Sequence, residues 1–271
     1  MGKRLSMNIN THKFEYRYLL KKLGSSHLVG KWLRNYIDVH GFLILQDLKS
    51  ENSDLNFAKN FLADLSSSIG TLVSHNPNKQ DYIWEIKTQS SNSEIKTFSE
   101  DNQVAPLHTD SQYRICPERY MALMVIRQAS CGGGATLLLD FKNVLEEIGS
   151  YASGKELIEF AKKQKFPIAI PSIFQTSSEQ KYIYSSLISN SPLVRYRYDT
   201  LKTGVALVNG DRAGEFLDHL ETLNTYIQSS SHQCTFNLAE GEIIFVDNHR
   251  FLHGRTPFTD PQRLLLRSRF N

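Results

Sequence analysis

Several things are scarce in this sequence of 271 residues, and each scarcity removes a class of protein. Cysteine occurs only at Cys116, Cys131 and Cys234, an odd number, widely spaced and without a C-x-x-C pair. That pattern builds neither a disulfide framework nor a zinc knuckle, and reduced thiols in a cytoplasmic protein are the plain expectation. Long apolar runs are missing too. The best, Met121 to Ile126, is far short of the roughly 20 residues that cross a bilayer, so no membrane partner is expected. Charge of one sign is not in excess: 31 Lys and Arg stand against 28 Asp and Glu, for a net charge of +3. No dense basic run carries interleaved aromatics, which disfavours nucleic acid and leaves an anionic small molecule as the better partner. Gly132-Gly133-Gly134-Ala135-Thr136 lacks the G-x-G-x-x-G or G-K-[ST] grammar of nucleotide loops, so it is read as a turn into a strand and not as a phosphate cradle. The opening Met1-Gly2-Lys3-Arg4-Leu5-Ser6 satisfies the short M-G-x-x-x-[ST] myristoylation pattern and is read as accidental.

What remains is an ordinary globular composition, 40% apolar and 22% charged, with enough chain for a sizeable core. A single domain over residues 1–271 is the economical division. Residues 1–74 read as a flank of helix and strand: an amphipathic helix over Leu28 to Tyr36, a buried strand Phe42 to Leu45, and a second helix over Phe57 to Val73. Residues 75–104 are rich in Asn, Ser, Gln and Lys around one strand-like patch, Tyr82 to Ile86, and read as a lid loop. Residues 105–271 are mainly β, with strands at Tyr120–Gln128, Thr136–Asp140, Lys181–Ile188, Leu193–Tyr198, Gln233–Leu238, Glu242–Val246 and Arg263–Phe270. Helices are expected over Asn143–Phe160 and Asp211–Ser229. Many short strands with Gly and Pro turns, flanked by helices, predict a sandwich or barrel.

Three stretches carry candidate chemistry. In Leu107-His108-Thr109-Asp110, residues two apart on a strand would present an imidazole and a carboxylate on one face. A further histidine would complete a two-His, one-carboxylate face that leaves coordination positions open on iron(II). H-x-D alone arises often by chance. In Asp247-Asn248-His249-Arg250-Phe251-Leu252-His253-Gly254-Arg255, both His249 and His253 compete for that third place, and spacing does not choose between them. In Arg263-Leu264-Leu265-Leu266-Arg267-Ser268-Arg269 a strand would put three arginines on one face, either a solvated edge or a set of guanidinium forks for carboxylates.

Taken in order, H-T-D, a glycine turn ending in Thr, D-N-x-x-x-L-H-G-R and an arginine ten residues past that histidine resemble the taurine dioxygenase and clavaminate synthase-like family of iron(II)/2-oxoglutarate oxygenases. The resemblance covers about residues 82 to 270. It implies a mainly β fold with flanking helices, the double-stranded β-helix or jelly roll. It implies His108, Asp110 and His253 as iron ligands, Arg263 as the clamp on the distal carboxylate of 2-oxoglutarate, Thr136 as a support for that carboxylate, and Arg267 as a second basic group on cosubstrate or substrate. O₂ is the other cosubstrate, and the products are succinate, CO₂ and an oxidised substrate. The stretches Tyr82 to Lys87, Pro117 to Tyr120, Arg195 to Asp199 and Asp260 to Arg263 look like the branch that includes free amino-acid hydroxylases and their halogenase cousins. A carboxylate at position 110, where the halogenases have a small residue, implies hydroxylation.

The expected substrate is therefore a small amino acid or a derivative. Its carboxylate would pair with Arg267, Arg269 or Arg197, its amine with Glu85, Glu118 or Asp199, and Trp84, Gln112 and Tyr113 would line the pocket. The same centre could desaturate, epimerise or close a ring, and a non-catalytic jelly-roll binding protein is the alternative of a different class.

Overall fold

The computed structural model describes residues 8–48, 54–74, 80–88, 97–175, 180–189 and 193–271. The N-terminal part runs through β1 (Lys13–Glu15), α1 (Tyr16–Leu23), α2 (Ser26–His40), β2 (Phe42–Gln46), α3 (Leu55–Ile69) and β3 (Trp84–Ile86). The middle comprises β4 (Ala105–His108), β5 (Tyr120–Arg127), β6 (Thr136–Asp140), α4 (Phe141–Ile148), α5 (Ala152–Lys163), β7 (Phe166–Ala169) and β8 (Tyr182–Ser185). The C-terminal part comprises α6 (Tyr198–Val208), α7 (Ala213–Ser229), β9 (Cys234–Phe236), β10 (Ile243–Asp247), β11 (Phe251–Arg255) and β12 (Leu264–Phe270).

The strands form a six-stranded sheet in the order β1-β2-β10-β5-β12-β3 and a four-stranded sheet in the order β4-β11-β6-β9, with β7-β8 as a separate pair. Three apolar clusters show how the sheets are covered. One lies between the two sheets and contains Phe42, Ile44, Met121, Leu138, Ile244 and Phe251. A second joins the other face of the six-stranded sheet to α1, α2 and α3 through Leu33, Leu43, Leu62, Phe245 and Phe270. The third joins the four-stranded sheet to α4 through α7 through Leu139, Phe141, Leu201, Leu223 and Leu252. The result is a jelly roll with a helical layer on each outer face.

Because both faces of β2 and β10 are covered, their side chains are apolar without alternation over Phe42 to Leu45 and Ile243 to Val246. Leu43 and Leu45 go to the helices, while Phe42 and Ile44 go to the space between the sheets. Burying one such side chain is worth about 1.5–3 kcal/mol. The same alternation governs β12. Leu266 and Phe270 face the helices and Leu265 faces inward, so Arg267 and Arg269, of the same parity as Leu265, face inward as well, while Arg263 stands just before the strand and lines a cavity with Leu265 and Arg267.

Several expectations are corrected. Within the expected flank of residues 1–74, β2 sits between β1 and β10 inside the six-stranded sheet, and β1 forms the edge of that sheet. The segment taken as a lid contains β3, which pairs with β12 along Trp84↔Arg267 and Ile86↔Leu265; residues 75–79 and 89–96 of it lie outside the described residues, as does the myristoylation-like start. The second helix stops at Ile69, since the chain becomes extended at Gly70 and Leu72 bridges to Phe270. Asn143–Phe160 is two helices, broken at Gly149 to Tyr151. Leu193–Tyr198 is not a sheet strand. Arg195 is drawn instead to the carbonyls of Gln112, Arg114 and Ile115, and Tyr198 starts a helix.

Candidate metal centre and its two cavities

His108 is the last residue of β4, and its partner across the ladder is His253 of β11. Cross-strand register alone brings the two imidazoles together, with ring centroids 4.5 Å apart. The spacing argument for Asp110 needs revision, because the strand ends at His108 and Asp110 lies in the turn that follows. Asn248 supplies what the strand does not. Its Oδ1 accepts from the Asp110 N–H at 2.7 Å, and its Nδ2 donates to the Asp110 carbonyl at 3.2 Å and to the Glu118 carbonyl at 2.8 Å. Ser111 then takes a left-handed conformation, φ 55°, and accepts a hydrogen bond from Arg269 Nη1.

One ligand atom from each of His108, Asp110 and His253 lies within 4.8 Å of the others, and all three residues are buried. The donor chemistry fits a divalent transition metal. His108 Nδ1 is 2.7 Å from the Pro106 carbonyl, an arrangement in which Nδ1–H donates and Nε2 keeps its lone pair for a metal. His253 Nδ1 is buried with no hydrogen-bond partner among the described residues, the condition of a group that can take one, and buried Asp110 Oδ2 is met by the Arg267 guanidinium at 3.1 Å. Burial, then the neighbouring His253, pushes the His108 imidazole down to about 3. Burial likewise lowers His253. Burial by itself would raise the Asp110 carboxyl, but the guanidinium groups of Arg267 and Arg269 outweigh it and hold the pKa well below the usual carboxylate range. At neutral pH the trio therefore offers two neutral imidazoles and one carboxylate. His249 is not part of it; its Nε2 meets the Pro117 carbonyl at 3.0 Å.

Two cavities open on this cluster and share His108 and Arg267. Thr136, Arg255 and Arg263 line the first. Arg263 is 4% exposed, donates from Nη2 to the Gly134 carbonyl at 3.2 Å, and keeps a buried Nε without a partner. It forms no ion pair among the described residues. Burial, then the nearby Arg255, lowers it to about 10, so it is still a cation at neutral pH. Gly134 allows the approach: with φ 77°, a Cβ there would stand 2.7 Å from Arg263 Nε. The second cavity is lined by Trp84, Gln112, Tyr113, Phe174, Arg197 and Arg269.

Of the residues expected around the substrate, Glu85, Glu118 and Asp199 are not in that lining. Glu85 points to the opposite face of β3, where Lys59 holds it at 2.5 Å and Lys87 at 2.6 Å. Glu118 is buried and shared between Arg114 and Arg269. Asp199 is exposed and paired with Arg197 at 2.8 Å. Sequence reasoning missed Asn248, Phe98, Phe174 and Arg255. Asn248 and Arg255 stand inside the quoted D-N-x-x-x-L-H-G-R run, whereas Phe98 and Phe174 border polar stretches and carry no local signal.

A family model described as "Taurine catabolism dioxygenase TauD, TfdA family" matches residues 15–269. No curated protein matches the sequence. Among solved structures, an asparagine oxygenase in complex with Fe(II), 2S,3S-3-hydroxyasparagine and succinate is similar with a TM-score of 0.66 at 17% identity, over 94% of this chain and 83% of that one. The non-heme iron oxygenase OrfP, in complex with Fe and alpha-ketoglutaric acid, gives 0.65 at 16% identity over 93% and 83%. PvcB from Pseudomonas aeruginosa gives 0.60 at 17% identity over 89% and 80%. At these identities the structures establish the shared fold.

Proposed function

Because the chain belongs to the TauD/TfdA family of iron(II)- and 2-oxoglutarate-dependent dioxygenases, we propose that it hydroxylates an unactivated C–H bond of a free amino acid or a small amino-acid-derived acid. The observation that carries this reading is the adjacency of two arginine-lined cavities on one His-Asp-His cluster. When bound, iron(II) with 2-oxoglutarate and O₂ would supply the oxidising power, 2-oxoglutarate losing CO₂ to become succinate with one oxygen atom while the other goes to the substrate carbon.

The residues of this chain divide the remaining work. His108, Asp110 and His253 hold the metal and leave the other positions to cosubstrate and O₂. In the first cavity Arg263 pairs with the distal carboxylate of 2-oxoglutarate, and Thr136 supports it from the facing sheet. In the second, Arg267 takes a substrate carboxylate. Trp84, Phe98, Tyr113 and Phe174 exclude water from the bond to be broken. The structural neighbours support the substrate class: one holds a hydroxylated asparagine, and OrfP holds (3S)-hydroxy-L-Arg in another complex. Asp110 at the metal supports hydroxylation. We assign the whole chain to one oxygenase domain, in which the small molecule is the only partner required; no helix among the described residues is long and apolar enough to cross a membrane.

The test is iron(II)-dependent conversion of 2-oxoglutarate to succinate, run against a panel of amino acids and their derivatives with product mass. A gain of 16 mass units in one compound, matched by succinate, is expected. Turnover that no compound stimulates would reject the substrate class, and a loss of two hydrogens would replace hydroxylation by desaturation.

A further inference from the structure

The charge around the second cavity is uneven. Among the described residues its lining carries three guanidinium groups, on Arg197, Arg267 and Arg269, against the single carboxylate of Asp110. Neighbouring acids do not restore the balance. Asp199 is paired with Arg197 and Glu118 is divided between Arg114 and Arg269, so two guanidinium groups share one buried carboxylate. Arg255, in the lining of the first cavity, and Arg195, which holds the turn at 112–115, donate to backbone carbonyls and form no ion pair among the described residues. Metal and cosubstrate leave the sum unchanged, because a divalent cation and a dicarboxylate dianion cancel.

Buried charge without a counter-charge costs several kcal/mol, and walls of low dielectric focus it onto whatever enters. A zwitterionic ligand brings no net compensation. Its ammonium would meet no acid in the described lining except Asp110, which is taken by the metal and by Arg267 at 3.1 Å. A ligand with a basic side chain is worse placed. The aromatic faces that would welcome a cation already carry guanidinium groups: Arg197 lies 4.0 Å from the Phe98 centroid and Arg267 5.6 Å from that of Trp84. Tyr113, stacked on Phe174 with centroids 5.4 Å apart, adds a buried hydroxyl to a wall that otherwise suits an apolar body.

Building on the iron and 2-oxoglutarate reading above, we propose that the preferred substrate is a net anion: a small carboxylic acid that carries a second acid group or lacks a free amine. Basic amino acids are turned away, in contrast to the arginine-derived ligands of OrfP. Arg269 and Arg197 are the residues that read the extra negative charge.

The experiment uses full-length protein loaded with iron(II) and 2-oxoglutarate. It compares two pairs matched in shape and different in charge, glutamate with glutamine and aspartate with asparagine, and a third, N-acetylalanine with alanine, in which an acetyl cap removes the ammonium, with arginine and lysine alongside. Binding is read anaerobically from the visible band of the iron–2-oxoglutarate chelate, and turnover from substrate-stimulated succinate. The anion of at least one pair should exceed its partner roughly tenfold in kcat/KM, and arginine and lysine should stimulate nothing. That advantage should shrink several-fold in Arg269→Gln, whose chelate band serves as the check that the metal site is intact. A lead for the acidic amino acids assigns the second charge to a side chain, and a lead for N-acetylalanine assigns the preference to the missing ammonium. Neutral partners equal to or better than their anions, stimulation by arginine, or a chelate that no anion perturbs would overturn the proposal. Absence of the chelate band itself would instead reject the reading on which it rests.

Discussion

At the scale of single residues, the metal cluster depends on side chains that fix the ligands as much as on the ligands. Asn248 satisfies both the N–H and the C=O of Asp110, which stands beyond the end of β4 and has no ladder to hold it. Asn248→Ala leaves those two buried groups without partners, at a cost of about 1–3 kcal/mol each. Iron affinity should fall roughly 10–100-fold, the size of effect expected for a group that orients a metal ligand. His249→Ala should leave iron affinity nearly unchanged, since the His249 imidazole is turned to the Pro117 carbonyl and away from the cluster. Isothermal titration of both variants checks the pair, and the opposite ranking would move the metal site to His249. Protonation gives a second expectation. The imidazoles of His108 and His253 are held below the ordinary 6.5, His108 at about 3. Below about pH 6.5 the unfolded chain takes up protons that the folded chain refuses. Stability of the metal-free protein is therefore fully present above that pH and is lost as the pH falls toward the folded values. The slope is up to about 1.4 kcal/mol per pH unit for each imidazole. The urea midpoint of metal-free protein should drop between pH 7.5 and 5.5, and a midpoint that held or rose would contradict this account of the buried histidines.

At the scale of elements, the site is an outcome of strand pairing. β11 lies between β4 and β6, and Gly254 lets it approach β4 closely: a Cβ there would stand 2.6 Å from the Ala105 carbonyl oxygen. Gly254→Ala should push the two strands apart, destabilise the protein by about 1–3 kcal/mol and weaken iron binding, because His253 and His108 face each other across that ladder. Denaturant melts with and without iron would measure this, and an unchanged iron increment would show that the ladder spacing is not critical. Elements with a strong local pattern were legible in the sequence: the apolar runs of β2 and β10, the amphipathic α2 and α7, and the alternation of β12 that turns Arg267 and Arg269 inward. Elements that owe their form to distant contacts were not. Leu193 to Tyr198 alternates like a strand, yet the Tyr196 N–H is taken by Thr109 Oγ1 and the guanidinium of Arg195 by the turn at 112–115. α6 contains a glycine and β-branched residues that weaken its helical signal. Gly204 is needed because a Cβ there would stand 2.1 Å from the Pro167 carbonyl oxygen. The candidate site divides the same way. The clustering of His108, Asp110 and His253 was legible through motif order, and Arg263 lines the cavity beside it, whereas the acids expected beside the substrate amine stand outside the second cavity's lining, because a sequence does not tell which face of β3 carries Glu85 or which arginines enclose Glu118.

At the scale of the whole molecule, two helical layers enclose two sheets, and the space between the sheets holds apolar packing at one end and the metal cluster with its arginines at the other. Arg263 and Arg255 are buried there without an ion pair among the described residues, which leaves the ligand-free protein the less stable form. Iron, 2-oxoglutarate and substrate should each add stability by mass action, about 2.7 kcal/mol for a ligand present at a hundred times its Kd. The most direct test of the central claim is an anaerobic titration of metal-free protein with iron(II) and 2-oxoglutarate, followed through the visible chelate band. The band should saturate at one iron per chain and vanish in His253→Ala. In Arg263→Ala it should require roughly 30–150-fold more 2-oxoglutarate, the equivalent of losing about 2–3 kcal/mol of a buried charge pair. Folded protein that binds iron at this site yet never forms the band, or an Arg263→Ala variant that takes up 2-oxoglutarate like the parent, would contradict the account.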